Sequence, residues 1–161
     1  MKHYKAPWSR SLLVITSLAT VLCLGITLYM AGFLHGWLRC EGLLPLAIIL
    51  VSALFTIRGY TVTPDAILVH RLFWTTRLPL AQLESAQVQP EAMRGSVRTF
   101  GNGGLFSFTG CFRNKSLGAY RAFVTDPRQT VVLRFPKQTV VVSPAAPQEF
   151  VESIAVTNHA V

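Results

Sequence analysis

From Ser11 to Leu34 the chain runs 24 residues without a charged side chain. As a helix rising 1.5 Å per residue this run is about 36 Å long, enough to cross a bilayer core of about 30 Å. Its polar members, Thr16, Ser17, Thr20 and Thr27, can bond back to their own helix. Tyr4, Trp8 and Tyr29 fall near its ends, where aromatic belts form. A second uncharged run, Leu43 to Ile57, is 15 residues long, about 22 Å as a helix. It reaches spanning length if Trp37 and Tyr60 mark its ends, with Arg39 and Glu41 at headgroup level. Pro45 then sits in the first turns, where its missing N–H matters least. The rival reading of this run is a re-entrant or surface helix.

After residue 58 the period changes from helical to alternating. Tyr60–Thr63, Ala66–Phe73, Trp74–Leu80 and Leu83–Val88 read as strands, with Pro64-Asp65 and Pro90 as stops and residues 66–80 as a hairpin. Residues 94–118 are glycine-rich and carry Phe100, Phe106, Phe108 and Phe112 between the glycines. Glycine there permits tight turns and close backbone approach. Ala119–Thr125, Thr130–Phe135 and Gln138–Ser143 alternate between the turns at Asp126-Pro127 and Pro136-Lys137. That pattern predicts an antiparallel meander with one buried face. From Pro147 the period turns helical, with Phe150, Val151 and Ile154 on one stripe over about 147–157. The predicted class is two transmembrane α-helices in a hairpin, followed by a mainly-β (α+β) domain. Its bent antiparallel sheets form an open barrel capped by a C-terminal helix.

The predicted layout is therefore a cytoplasmic segment at 1–10, helices at 11–34 and 43–57 (37–60 if extended), a short external loop at 35–42, and one domain at 58–161. Charge sets the orientation. Four basic residues and Glu41 lie in residues 1–57; eleven basic and six acidic residues follow. Lys2, Lys5 and Arg10 precede the first run, Arg58, Arg71 and Arg77 follow the second, and Arg39 and Glu41 cancel between them. Basic flanks stay in the cytoplasm, so both termini are expected inside a multi-pass inner-membrane protein. If only the first run spans, the domain lies outside instead. The first run exceeds the 7–15 residue core of a signal peptide and no A-x-A-like site closes it, so it is expected to be retained. Cys23, Cys40 and Cys111 are widely spaced, form no C-x-x-C and suggest no disulfide framework.

Chemistry-bearing motifs are sparse. His3, His35, His70 and His159 are scattered without metal-ligand spacing, and no nucleophile elbow or phosphate-loop signature occurs. No cofactor and no catalytic residue is expected. The net charge of +8 has no nucleic-acid motif beside it, so nucleic acid is not an expected partner. One constellation remains. Arg94, Arg98, Arg113, Lys115 and Arg121 surround Phe106 and Phe108 in the glycine-aromatic segment. An apolar loop with a basic rim suits anionic lipid headgroups or a partner protein; the plainer alternative is core phenylalanines ringed by solvated arginines.

Several stretches carry a resemblance. Residues 98–106 (RTFGNGGLF), 110–114 (GCFRN), 117–120 (LGAY), the Val-Thr-Asp strand end, and the Val-Val-Val-Ser-Pro…Pro-Gln-Glu-Phe ending resemble a bacterial pleckstrin-homology-like domain family. The likeness covers about 58–155, and similar members commonly carry two transmembrane helices ahead of the domain. Ser107 stands where relatives often have glycine, and Ala146 where a capping side chain is usual. The resemblance implies curved antiparallel sheets closed by a C-terminal helix, and a platform for lipid or protein binding. Phosphoinositide binding is not carried over, because the region between the first two strands of the domain offers only Arg71 and Arg77.

The expected function is a membrane-anchored, non-catalytic scaffold or adaptor at the cytoplasmic face, with a partner protein or a second copy as its associate. The alternatives are an accessory or regulatory subunit of a membrane enzyme, or a small-ligand sensor. Convergence of two or more of Asp65, His70, Arg71 and Glu84 in a pocket would favour the enzyme reading.

Overall fold

The computed structural model describes residues 1–33 and 41–158. In chain order it contains β1 (Lys2–Lys5), α1 (Arg10–Phe33), α2 (Leu43–Leu54), β2 (Ile57–Val62), β3 (Ala66–Arg71) and β4 (Thr75–Pro79). A 3-10 turn at Leu80–Gln82 leads to β5 (Ser85–Val88), β6 (Val97–Leu105), β7 (Ser107–Asn114), β8 (Gly118–Val124), β9 (Val131–Phe135), β10 (Gln138–Val142) and α3 (Pro147–Asn158). The strands form two sheets, ordered β1-β2-β3-β4 and β5-β9-β10-β8-β7-β6, rather than one closed barrel.

The main core lies between the sheets. Tyr60, Ile67, Val69, Leu133, Val140 and Val142 meet Phe123 there, and Phe150 and Ile154 of α3 close one end. Tyr60 is fully buried; its hydroxyl donates to the Phe123 carbonyl at 2.6 Å and accepts from the Ser143 N–H at 3.2 Å. This ties the two sheets together, and burial pushes the phenol up to about 12. A second core covers the outer face of the larger sheet, where Ala92 and Met93 pack with Phe112, Tyr120, Ala122, Val124, Val132 and Val141. Both faces of β9 and β10 are therefore buried, not one as the alternation suggested.

The predicted meander is corrected in its order. β9 and β10 form an antiparallel hairpin, but β8 pairs with β10 in parallel, Tyr120 opposite Thr139. The glycine-rich segment is a long hairpin of β6 and β7, in which Gly101 faces Gly110. Both have positive φ, and a Cβ on either would strike the opposite backbone, at Thr109 O and Phe100 O respectively. Only glycine lets the strands approach that closely.

The N-terminal part departs further. Lys2–Lys5, expected only to flank the first helix, pairs antiparallel with β2, His3 opposite Thr61. Tyr4 is its inward residue, packed edge-on against Phe150 with its hydroxyl on the Glu149 carbonyl at 3.0 Å. Among the described residues one helix, at Arg10–Gly32, is long and apolar enough to cross a membrane. The expected pair of spans is thus corrected to one candidate span and one shorter apolar helix. α2 has 12 residues, about 18 Å of helix, and cannot extend to Tyr60 because Ile57 opens β2. Most of the predicted loop 35–42, with Trp37, Arg39 and Cys40, lies outside the described residues.

Candidate functional site

The two apolar helices are fastened to the domain at their bases. Ser9 caps α1, its Oγ accepting from the Leu12 N–H at 3.1 Å, while its own N–H donates to Thr125 O at 3.2 Å. Farther along α1, Thr16 Oγ1 accepts the Phe106 N–H at 3.0 Å. Phe106 forms the tip of the β6–β7 hairpin, with φ of +64°, and meets Trp8 edge-on at 6.2 Å. The tip is also joined to the end of α2, where Ser107 Oγ donates to Phe55 O at 3.0 Å. Ser107, the position where glycine was expected of relatives, thus supplies a bond that glycine cannot make.

Beside these contacts a half-open cavity of about 680 Å³ lies between α2 and the β6–β8 face. Ile48, Val51 and Phe55 of α2 form one wall, and Phe100 and Leu105 of β6 another. Phe123 lies on the floor with Arg71, Arg98 and Arg121. The Arg71 guanidinium is 5.0 Å from the centre of the Phe123 ring, 5.4 Å from that of Trp74 and 5.7 Å from that of Phe55. Arg121 lies over the same Phe123 ring at 5.3 Å. Arg71 is 8% exposed and its Nε has no hydrogen-bond partner among the described residues. Burial, with Arg121 adding a like charge, pulls its guanidinium below the usual arginine value. Among the described residues none of these three arginines has an ion-pair partner.

The predicted basic-aromatic patch is divided by this geometry. Arg98 and Arg121 reach the cavity, and Phe106 sits at the hairpin tip beside it. Phe108 packs on the opposite face against the second core. Arg94 is exposed in the turn before β6 and pairs with Glu91 at 3.5 Å. Arg113, on β7, and Lys115, in the following turn, are exposed and outside the cavity lining. Arg71 is the member that the patch did not include. Strand parity carried the signal: Ile67, Val69 and Arg71 share the inward face of β3.

A second, shallower depression is lined by His3, Lys5, Ala6, Arg58, His70 and Arg71. The His3 and His70 rings lie 5.8 Å apart, and His70 Nε2 is 2.8 Å from Thr61 Oγ1. Burial, and the proximity of His3, hold His70 below its usual value. His70 and Arg71 therefore converge in this depression, which meets the condition stated for the enzyme reading; Asp65 and Glu84 do not join them, and among the described residues no carboxylate lines either cavity.

Comparison with known proteins gives one match. The family model described as Bacterial PH domain matches residues 58–158, from the second residue of β2 to the end of α3. No curated protein and no solved structure matches the chain.

Proposed function

The chain belongs to the bacterial PH domain family, and on that premise we propose that it is a membrane-anchored, non-catalytic platform held against the cytoplasmic face by α1 and α2. PH-like domains are generally non-catalytic interaction modules, and fold alone names no partner. One observation carries the membrane reading. β1 precedes α1, β2 follows α2, and the two strands are hydrogen-bonded neighbours. If α1 crosses the bilayer, the segment between α1 and β2, which includes α2, must bring the chain back to the side that α1 left. The outward side chains of both helices support immersion: Val14, Leu18, Val21, Leu28, Leu44 and Leu50 are all exposed, an apolar surface that water does not favour. Removal of α1 as a signal peptide would strip β1 from its sheet. The basic residues flanking both helices favour the cytoplasmic side.

The test uses a full-length chain lacking Cys23, Cys40 and Cys111, with Lys2→Cys or Val156→Cys added. The protein should resist alkaline carbonate extraction. Both positions should react with a membrane-impermeant maleimide in inverted vesicles and not in intact cells. Labelling from opposite sides, or release by carbonate, overturns the reading.

A further inference from the structure

We infer that the cavity between α2 and the β6–β8 face holds one anionic phospholipid, its phosphate on Arg71, Arg98 and Arg121 and an acyl chain along Ile48 and Val51. The inference rests on the membrane-anchored reading, because it needs α2 to stand in the bilayer. It goes beyond that reading by assigning a defined site and a ligand class.

Charge comes first. Among the described residues three arginines line the cavity and no carboxylate does. Arg71 is nearly sealed from water with an unpartnered Nε, and both it and Arg121 bear on the Phe123 ring. Two guanidinium groups gathered on one ring repel each other unless an anion joins them. Guanidinium is also the group best shaped to grip phosphate oxygens in pairs. The Trp74, Phe55 and Phe123 rings surround Arg71 and restrict where it can point, so its donors are held in place before any ligand arrives.

Polarity then grades along the cavity. Phe55, beside Arg71, closes α2 at the domain end, and Ile48 lies seven residues earlier, about 10 Å deeper along the helix. An amphiphile entering with its head toward the domain puts charge on arginine and chain on apolar side chains. The depth agrees. Thr16, which holds the hairpin tip, is six residues past the start of α1 at Arg10, or about 9 Å. That places the tip near the boundary between headgroups and acyl chains. A free anion has no use for the Ile48, Val51, Phe100 and Leu105 walls.

The test is native mass spectrometry of the full-length protein released from vesicles of phosphatidylglycerol and phosphatidylcholine in equal parts. One phosphatidylglycerol should be retained in preference to phosphatidylcholine. Arg98→Gln and Arg121→Gln, at exposed positions that leave the rings intact, should each weaken that retention about fivefold. Arg113→Gln and Lys115→Gln, equal in charge but outside the lining, should leave it unchanged. Equal retention of both lipids, indifference to Arg98→Gln and Arg121→Gln, or displacement of the lipid by millimolar inorganic phosphate each overturns the assignment. If the protein resists carbonate extraction yet retains no phosphatidylglycerol, this inference fails alone. Release by carbonate means that the anchoring reading failed first.

Discussion

Replacing Arg71 by Met should stabilise the protein while removing its response to anionic lipid. The sign follows from opposing terms. Arg71 is buried with no carboxylate partner among the described residues, and the effective penalty for burying a charge is several kcal/mol. Against this, three rings within 5.0–5.7 Å offer cation–π attraction, together about 2–3 kcal/mol. Met keeps an unbranched flexible stem though it ends two atoms short of the guanidinium tip, brings no charge, and recovers part of the ring attraction through sulfur–aromatic contacts of about 0.3–1.5 kcal/mol. The expected gain is about 2 kcal/mol, in keeping with the roughly 1–4 kcal/mol seen when buried ionic groups are replaced by apolar ones. For a domain of this size that raises the melting temperature by about 8 °C. The assay is thermal unfolding of the full chain by tryptophan fluorescence in nonionic detergent, without and with phosphatidylglycerol. Added lipid should raise the melting temperature of the wild-type protein and not of Arg71→Met. A fall in stability without lipid would refute the reasoning, because it would mean that the guanidinium holds the three rings together rather than waiting for an anion.

Gly110→Ala should disrupt the β6–β7 hairpin, since its Cβ would collide with the Phe100 carbonyl at a φ of +136°; a loss of about 2 kcal/mol or more is expected in urea unfolding. Thr16→Val removes the acceptor of the Phe106 N–H, which should cost about 1–2 kcal/mol and speed amide exchange at residues 105–107 without changing that of β9. Stability should also fall on acidification. His70 titrates below its usual 6.5 in the folded protein, so as pH drops below about 6.5 the unfolded chain takes up a proton that the folded chain resists, and stability is lost progressively down to the folded value. His3, Lys5, Arg58 and Arg71 share that depression and supply no negative charge to offset it. Melting curves at pH 7.5 and 5.5 should separate, and His70→Gln should bring them together.

The sequence made some elements plain and hid others for physical reasons. The first helix, expected at 11–34 and observed at Arg10–Phe33, was plain because an uncharged run of that length has few other uses. The end of the second was hidden because Ile57 continues its apolar run while opening a buried strand, and hydropathy cannot separate the two. β1 was missed because a four-residue edge strand with one inward side chain, Tyr4, shows no periodicity. The β6–β7 strands were masked by their glycines. The parallel pairing of β8 with β10 left no local trace, since Val131, Val132, Val140 and Val141 are buried on both faces and either neighbour suits them.

Of the site, Arg98 and Arg121 were legible as basic residues among aromatics; Arg71 was not, because its significance depends on burial. Burial also separates two explanations of the protein's basic excess. The positive-inside bias places lysines and arginines where water and headgroups solvate them, and it gives no reason to enclose one. The ion pairs among the described residues fit a solvated background: Asp65 with Arg77, Glu91 with Arg94, and Asp126 with Arg128 all lie in or beside turns, with their arginine side chains exposed. Arg71 stands apart from them, enclosed by three rings and sharing the Phe123 ring with Arg121. A topology signal alone would be served equally well by a basic residue left in solvent, as Arg58 is. Neutralising Arg58 should therefore change insertion but not lipid retention, whereas neutralising Arg121 should change retention but not insertion. A protein in which both substitutions move both readouts together has a diffuse basic surface and no site.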